Sequence, residues 1–280
     1  MASTRFCRPD DNKVLRYTST DTFPRIINGD STNYTTPPAK VEDPQYPMSN
    51  IHNPDRYTPW ATPAGTTPLA MKLHIDAGSN ISVGFVGLFG VRWLAGVAFS
   101  VPITVGYRTA AQGYASAGPF TGVVTSSFET RRDTGFVLGA PVSGRYWEFN
   151  FTTMIAGGIS FGGIYLGAIS QDLGILYSPG MEDNVIFSAI ESRTGAGHLN
   201  VMTVGDPRHL ISMPFVDQVD AVRTKIDAVF GETSKRDPVV WIDRNDMASQ
   251  VVLAKNSLRW RHNWDSPNLW DTDLELEVLG

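Results

Sequence analysis

The chain has 280 residues, 42% hydrophobic and 18% charged, with a formal net charge of −5 and a pI near 5.5. Length and apolar share exclude a disordered polypeptide and allow one large domain or two ordinary ones with buried cores. The acidic balance, with no cluster of Lys and Arg, argues against nucleic acid or an anionic membrane as partner.

The charges are unevenly spread. Between Ala77 and Phe128 the only charged residues are Arg92 and Arg108, and Phe149 to Gln171 has none. Surface so poor in charge predicts coverage by another subunit, hence an oligomer. Cys7 is the single cysteine, which leaves no intrachain disulfide and no cysteine-based metal site, as suits a reducing cytoplasm. The opening MASTRFCRPDDNK has no apolar h-region, so no secretory leader is expected, and the sequons at Asn33, Asn80 and Asn150 read as chance.

In chain order, the first 30 residues hold one strand candidate, Lys13 to Tyr17, followed by a polar connector from Ser31 to Ala39. Eight of the 18 prolines fall between Pro37 and Pro68, which excludes helix interiors and central strands and predicts an irregular arm. From Leu69, strand signals take over. Met71, Leu73 and Ile75 alternate with Lys72, His74 and Asp76. Ile81 to Leu88, Ala98 to Tyr107, Gly122 to Phe128 and Gly144 to Thr152 follow. In the last, Trp147, Phe149 and Phe151 point one way and Tyr146, Glu148 and Asn150 the other. Eighteen of the 26 glycines lie between Gly84 and Gly180, spaced as turns and bulges between short strands, so this portion reads as a β-sandwich. The uncharged run from Phe149 to Gln171 is long enough to span a bilayer, but its five glycines and polar residues argue against a transmembrane helix. No membrane insertion is expected.

Toward the end the period changes. Phe215, Val219, Val222, Ile226 and Val229 form one apolar stripe, predicting a helix from about Pro214 to Phe230. Strands are expected at His209–Met213, Val239–Asp243 and Leu274–Val278. The fold class is therefore mostly β: a β-sandwich plus a small C-terminal α+β unit with one helix. The expected divisions are 1–39, an N-terminal strand and connector; 40–172, the sandwich; and 173–280, an α+β assembly domain.

Motifs that carry chemistry give way to plainer readings. Gly158-Ile159-Ser160-Phe161-Gly162 matches G-x-S-x-G, but the residues after it read as strand, whereas a nucleophile elbow needs a helix. Gly84, Gly87 and Gly90 lack the G-x-G start of a dinucleotide fingerprint and read as a flat or bulged strand. Asp243, Asn245 and Asp246 lack EF-hand spacing and read as a solvated turn. His74 and Asp76 share one face of one strand and read as a surface contact. No catalytic residue, cofactor site or metal site is assigned. Trp260, Trp264 and Trp270 stand in a polar, loop-like stretch, RWRHNWDSPNLWD. They are candidate interface residues, or else they cap the small domain's own core.

The run Glu42-Asp43-Pro44-Gln45-Tyr46-Pro47-Met48-Ser49-Asn50-Ile51, with Asp55 and Trp60 after it, resembles the arm before the first strand in discoidin-like (galactose-binding-like) jelly rolls of tailed-bacteriophage tail and tail-tip proteins. Arg145-Tyr146-Trp147-Glu148-Phe149 is similar to their penultimate strand and Ile159 to Gly167 to their closing one, although Gly163 stands where the arginine of that ending would be. The resemblance covers roughly residues 40 to 170, and 205 to 280 loosely. It implies a non-enzymatic virion protein made in the host cytoplasm, in a homo-oligomer with other tail proteins, and with Trp60 in the core. Some such proteins bind sugars through loops at one end of the sandwich, so a host surface glycan is the alternative partner. Exposed aromatics separate the two: on loops such as Tyr107 to Phe120 they mark a sugar site, on the C-terminal unit an assembly site.

Overall fold

From Met71 on, alternating apolar and polar residues place one side of a long strand in a core and turn the other away from it, as the computed structural model shows. The structure describes residues 3–8, 25–29, 45–46, 50, 59–61, 71–93, 100–114, 119–129, 133–151, 159–186, 189–193, 199–203, 208–230, 239–243, 247–253, 261–266 and 269–278. Among them the strands begin with β1 (Arg5–Cys7), β2 (Arg25–Gly29), β3 (Trp60–Ala61), β4 (Met71–Phe89), β5 (Arg92–Trp93), β6 (Ser100–Arg108) and β7 (Thr121–Glu129). β8 (Thr134–Phe151), β9 (Ile159–Phe161), β10 (Gly163–Gly167), β11 (Gln171–Asp172), β12 (Glu182–Ile186), β13 (Ala189–Arg193) and β14 (Leu199–Thr203) follow. The chain ends with β15 (Arg208–Val219), helix α1 (Asp220–Phe230), β16 (Val239–Asp243), β17 (Met247–Leu253), β18 (Arg261–Ser266) and β19 (Leu269–Val278). Among the described residues the protein is mostly β with one helix.

The first sheet runs β10-β4-β8-β6-β7, with β2 also paired to β4. Its long antiparallel partners β4 and β8 change register between Asp76 and Ile81 and again between Val83 and Phe85. What reads in sequence as two strands, one from Leu69 to Asp76 and one from Ile81 to Leu88, is from Met71 to Phe89 one bulged strand, with Gly78 at φ 79° in the turn of the first bulge. Leu73, Ile75, Ile103, Val105, Trp147, Phe149 and Phe151 fill its core, closed by the small sheet β3-β9-β5. There Trp60 is fully buried and stacks on Phe161, with ring centroids 5.6 Å apart. The candidate strand Lys13 to Tyr17 lies outside the described residues.

The second sheet runs β11-β1-β16-β17-β19-β15-β12, with β18 also paired to β19. It takes its strand β1 from the N-terminus, between β11 and β16. Helix α1 buries Val222, Ile226, Val229 and Phe230 against Phe6, Met213, Phe215 and Leu274. Each such side chain contributes about 1.5–3 kcal/mol when removed from water. On the sheet's other face, Cys7, Val240 and Ile242 pack against Phe85, Phe89 and Tyr165 of the first sheet, which joins the two units.

The helix starts later than its apolar pattern predicts. β15 stays paired to β19 as far as Val219, so Pro214 and Phe215 are strand residues. A bulge between Phe215 and Gln218, with Asp217 at φ 56°, shifts the register before the helix begins. Phe215 is buried from the strand, and Val219, expected on the stripe, is 52% exposed. Sheet pairing overrides the helical period here.

Candidate binding site on the sandwich

The face of β4, β8 and β6 turned away from the core carries Lys72, His74 and Asp76, then Tyr146, Glu148 and Asn150, then Thr104, Gly106 and Arg108. The register sets Asp76, Tyr146 and Arg108 in one row and His74, Glu148 and Gly106 in the next. The segment after β6 folds back over these rows. Phe120 stacks on His74 at 5.5 Å, and the Arg108 guanidinium lies 4.3 Å from the centre of the Phe120 ring. Gly106 makes this approach possible, since a Cβ there would stand 2.8 Å from Phe120 Cβ.

Beneath this cover, polar groups are buried. His74 is 2% exposed, Arg108 2% and Glu148 8%. Each has bonds. His74 Nε2 lies 2.9 Å from Glu148 Oε2, and His74 Nδ1 lies 2.8 Å from the Tyr114 hydroxyl. Arg108 donates to the Tyr114 carbonyl at 2.9 Å, and Lys72 Nζ stands 3.4 Å from Glu148. A buried network of this kind is a poor source of stability compared with apolar packing, but it holds one conformation. What it holds is Tyr114, gripped at both its side chain and its backbone.

The turn leading to Tyr114 is fixed as well. Ala110 N donates to Asn80 Oδ1 at 2.8 Å, Thr109 N donates to Gln112 Oε1 at 2.7 Å, and Gly113 takes φ 72°. At the rim, half-buried Tyr114 meets Tyr146 with ring centroids 5.7 Å apart. Arg145 reaches over the Tyr146 ring at 4.9 Å and clasps Asp76 through Nε at 2.7 Å and Nη2 at 3.1 Å. The bonds to Asp76 raise the Arg145 pKa further above its ordinary range. The rim thus offers two partly open aromatic rings beside a two-point ion pair.

His74 and Asp76, read from sequence as a surface contact, belong to this site, His74 as a buried residue and Asp76 at the rim. The sequence reading missed their partners. Glu148 and Tyr146 sit on the polar side of a strand whose period is clear, and Arg145 has the parity of Trp147, yet the contacts to His74 and Asp76 span 74 and 69 residues and have no local signature.

The other motifs fall elsewhere. Ser160 is 3% exposed in β9, and strand β10 follows it instead of a helix. Gly84 and Gly87 lie in β4, at and beyond its second register shift, and Gly90 follows the strand at φ 58°. Asn245 and Asp246 lie outside the described residues, while Asp243 ends β16. The tryptophan-rich stretch is not a loop: β18 and β19 form a hairpin in which Trp264 and Trp270 are register partners. Cross-strand pairing satisfies the backbone of these polar residues, and a composition-based reading cannot see that. Trp270 is half-buried with the Arg223 guanidinium 4.2 Å from its centre, and Trp260 lies outside the described residues.

No family model matches the chain, and no curated protein matches it. Among solved structures it is similar to chitosan-binding module 1 of a chitosanase/glucanase from Paenibacillus sp. IK-5, at 16% identity and a TM-score of 0.36 over 56% of this chain and 98% of that one. A family 32 CBM from C. perfringens NanJ, in complex with galactose, matches at 17% identity and TM-score 0.35, over 45% of this chain and 88% of that one. A Ruminococcus gnavus fucosidase in complex with fucose matches at 14% identity and TM-score 0.40, over 59% of this chain but 28% of that one.

Proposed function

We propose that this protein binds carbohydrate without catalysis, through the rim formed by Asp76, Tyr114, Arg145 and Tyr146. One observation carries the reading: among the described residues, half-buried Tyr114 after β6 and half-buried Tyr146 on β8 stand side by side, and a buried network under Tyr114 fixes it in place. A sugar ring presents a C–H face to an aromatic ring and hydroxyls to planar charged groups, and this rim has both. Pre-organising the loop lowers the entropy lost on binding. Screening on immobilised glycans followed by calorimetry tests the reading. Binding should be abolished in a Tyr146→Ala variant whose circular dichroism is unchanged. Absence of any glycan ligand at millimolar sugar would end it.

The second reading is a tail or tail-tip subunit of a virion. It rests on the sequence resemblance together with one structural feature, the exposure of Val185, Val216 and Val219 by 45%, 45% and 52% on β12 and β15 of the C-terminal sheet. A virion attached to its host through the sandwich would contain both activities.

A further inference from the structure

The ion pair at the rim narrows the class of glycan. We infer that Asp76 and Arg145 together make the site selective for uncharged sugars and reject those bearing a carboxylate. This rests on the carbohydrate-binding reading. Arg145 is the cation of the rim, and its Nε and Nη2 both point at Asp76, at 2.7 and 3.1 Å. The pair therefore carries no net charge, and it sets donors and acceptors side by side. A sugar hydroxyl both donates and accepts, so it complements either partner. A carboxylate only accepts, and it meets the like charge of Asp76 in a half-buried setting where screening is weak.

The aromatic side points the same way. The Tyr114 hydroxyl is engaged by His74 Nδ1 at 2.8 Å, so Tyr114 offers its ring. Among the described residues the other cations of this face are Lys72, which stands 3.4 Å from Glu148 and is 17% exposed, and Arg108, buried beneath Phe120. The basic groups on this part of the face are thus each set against a carboxylate or held beneath the loop.

The test compares matched pairs of immobilised oligosaccharides that differ only in a terminal carboxylate-bearing sugar, on the full chain. The wild type should favour the uncharged member by roughly ten-fold or more, as like-charge opposition implies. The preference should largely persist as salt is raised, because partly buried charges are screened much less than exposed ones. Asp76→Asn should lose most of that preference by gaining affinity for the acidic member, and Arg145→Gln, which leaves Asp76 uncompensated, should widen it. Equal wild-type binding to both members, or an Asp76→Asn variant with undiminished preference, overturns the inference and leaves the carbohydrate reading standing. A wild type that binds no member of any pair overturns both.

Discussion

His74 and Glu148, 74 residues apart in sequence, are joined by a 2.9 Å hydrogen bond beneath the loop that carries Tyr114. Because the other imidazole nitrogen meets the Tyr114 hydroxyl, His74 couples the sheet to the loop. His74→Ala removes both bonds and strips a buried carboxylate of one partner. The expected cost is about 1–3 kcal/mol, measured by urea denaturation. Glycan affinity should fall with it. An unchanged midpoint and unchanged affinity would show that the network does not hold the loop.

Gly106→Ala tests the same loop from its other side. The added methyl would stand 2.8 Å from Phe120 Cβ, closer than real Cβ atoms approach, and 3.1 Å from the Thr121 carbonyl oxygen, a tight contact. The loop must lift, at a cost of about 1–3 kcal/mol. Gly122→Ala, on the adjacent strand, meets nothing nearer than Thr104 Cγ2 at 4.0 Å and should change stability by less than about 0.5 kcal/mol. Paired melting curves with glycan titrations distinguish the two.

Much of this was legible in the sequence, for a physical reason. The alternation of Trp147, Phe149 and Phe151 with Tyr146, Glu148 and Asn150 assigns the two faces of β8 correctly, because a period of two survives whatever the strand pairs with. What lies over the outer face is set by a loop far along the chain, so Glu148 reads as solvated yet is 8% exposed. Likewise the stripe from Phe215 to Val229 fits a helix, and only the pairing of β15 with β19 reveals that its first third is strand. The insertion of β1 into the C-terminal sheet left no trace in local pattern, since three residues are too few for a period.

Acid should loosen the seam where β1 meets β11. Burial pushes the Asp172 carboxyl up, but bonds from Ser3, Arg5 and the Gly174 N–H together hold it below its ordinary 3.8. A group depressed in the folded state stabilises above its ordinary pKa, and that contribution is lost as pH falls through 3.8 and on through the lowered folded value. Asp172→Asn should therefore be less stable than wild type at neutral pH and converge with it in acid, below the lowered folded value. Denaturation midpoints at a series of pH values would reveal parallel curves if the pair contributes nothing.

Trp60→Ala removes a fully buried indole stacked on Phe161 and opens a cavity in the sandwich core. The expected cost is about 3–5 kcal/mol. A thermal midpoint unchanged from wild type would mean that the segment before β4 does not close the core.

The assembly reading makes a claim about Val216 and Val219. Val219 has the spacing of a buried helix residue but stands 52% exposed just before α1, and Val216, at 45%, lies three positions earlier across the bulge. Large apolar side chains left open beside a sheet edge are what an interface with another chain would cover. Trp270 is a weaker candidate, because Arg223 already lies across its ring at 4.2 Å, so Trp270→Ala should lower stability before it affects association. Replacing Val216 and Val219 by Asp removes the apolar patch while adding charge only at exposed positions, so folding should survive. In sedimentation the wild type should be heavier than the 30.7 kDa chain, and the double variant should return to that mass. A wild type that is already monomeric at high concentration removes the structural support for assembly through this edge. A double variant that still assembles moves the interface to another face, with the uncharged stretch from Ala77 to Phe128 as the next to test.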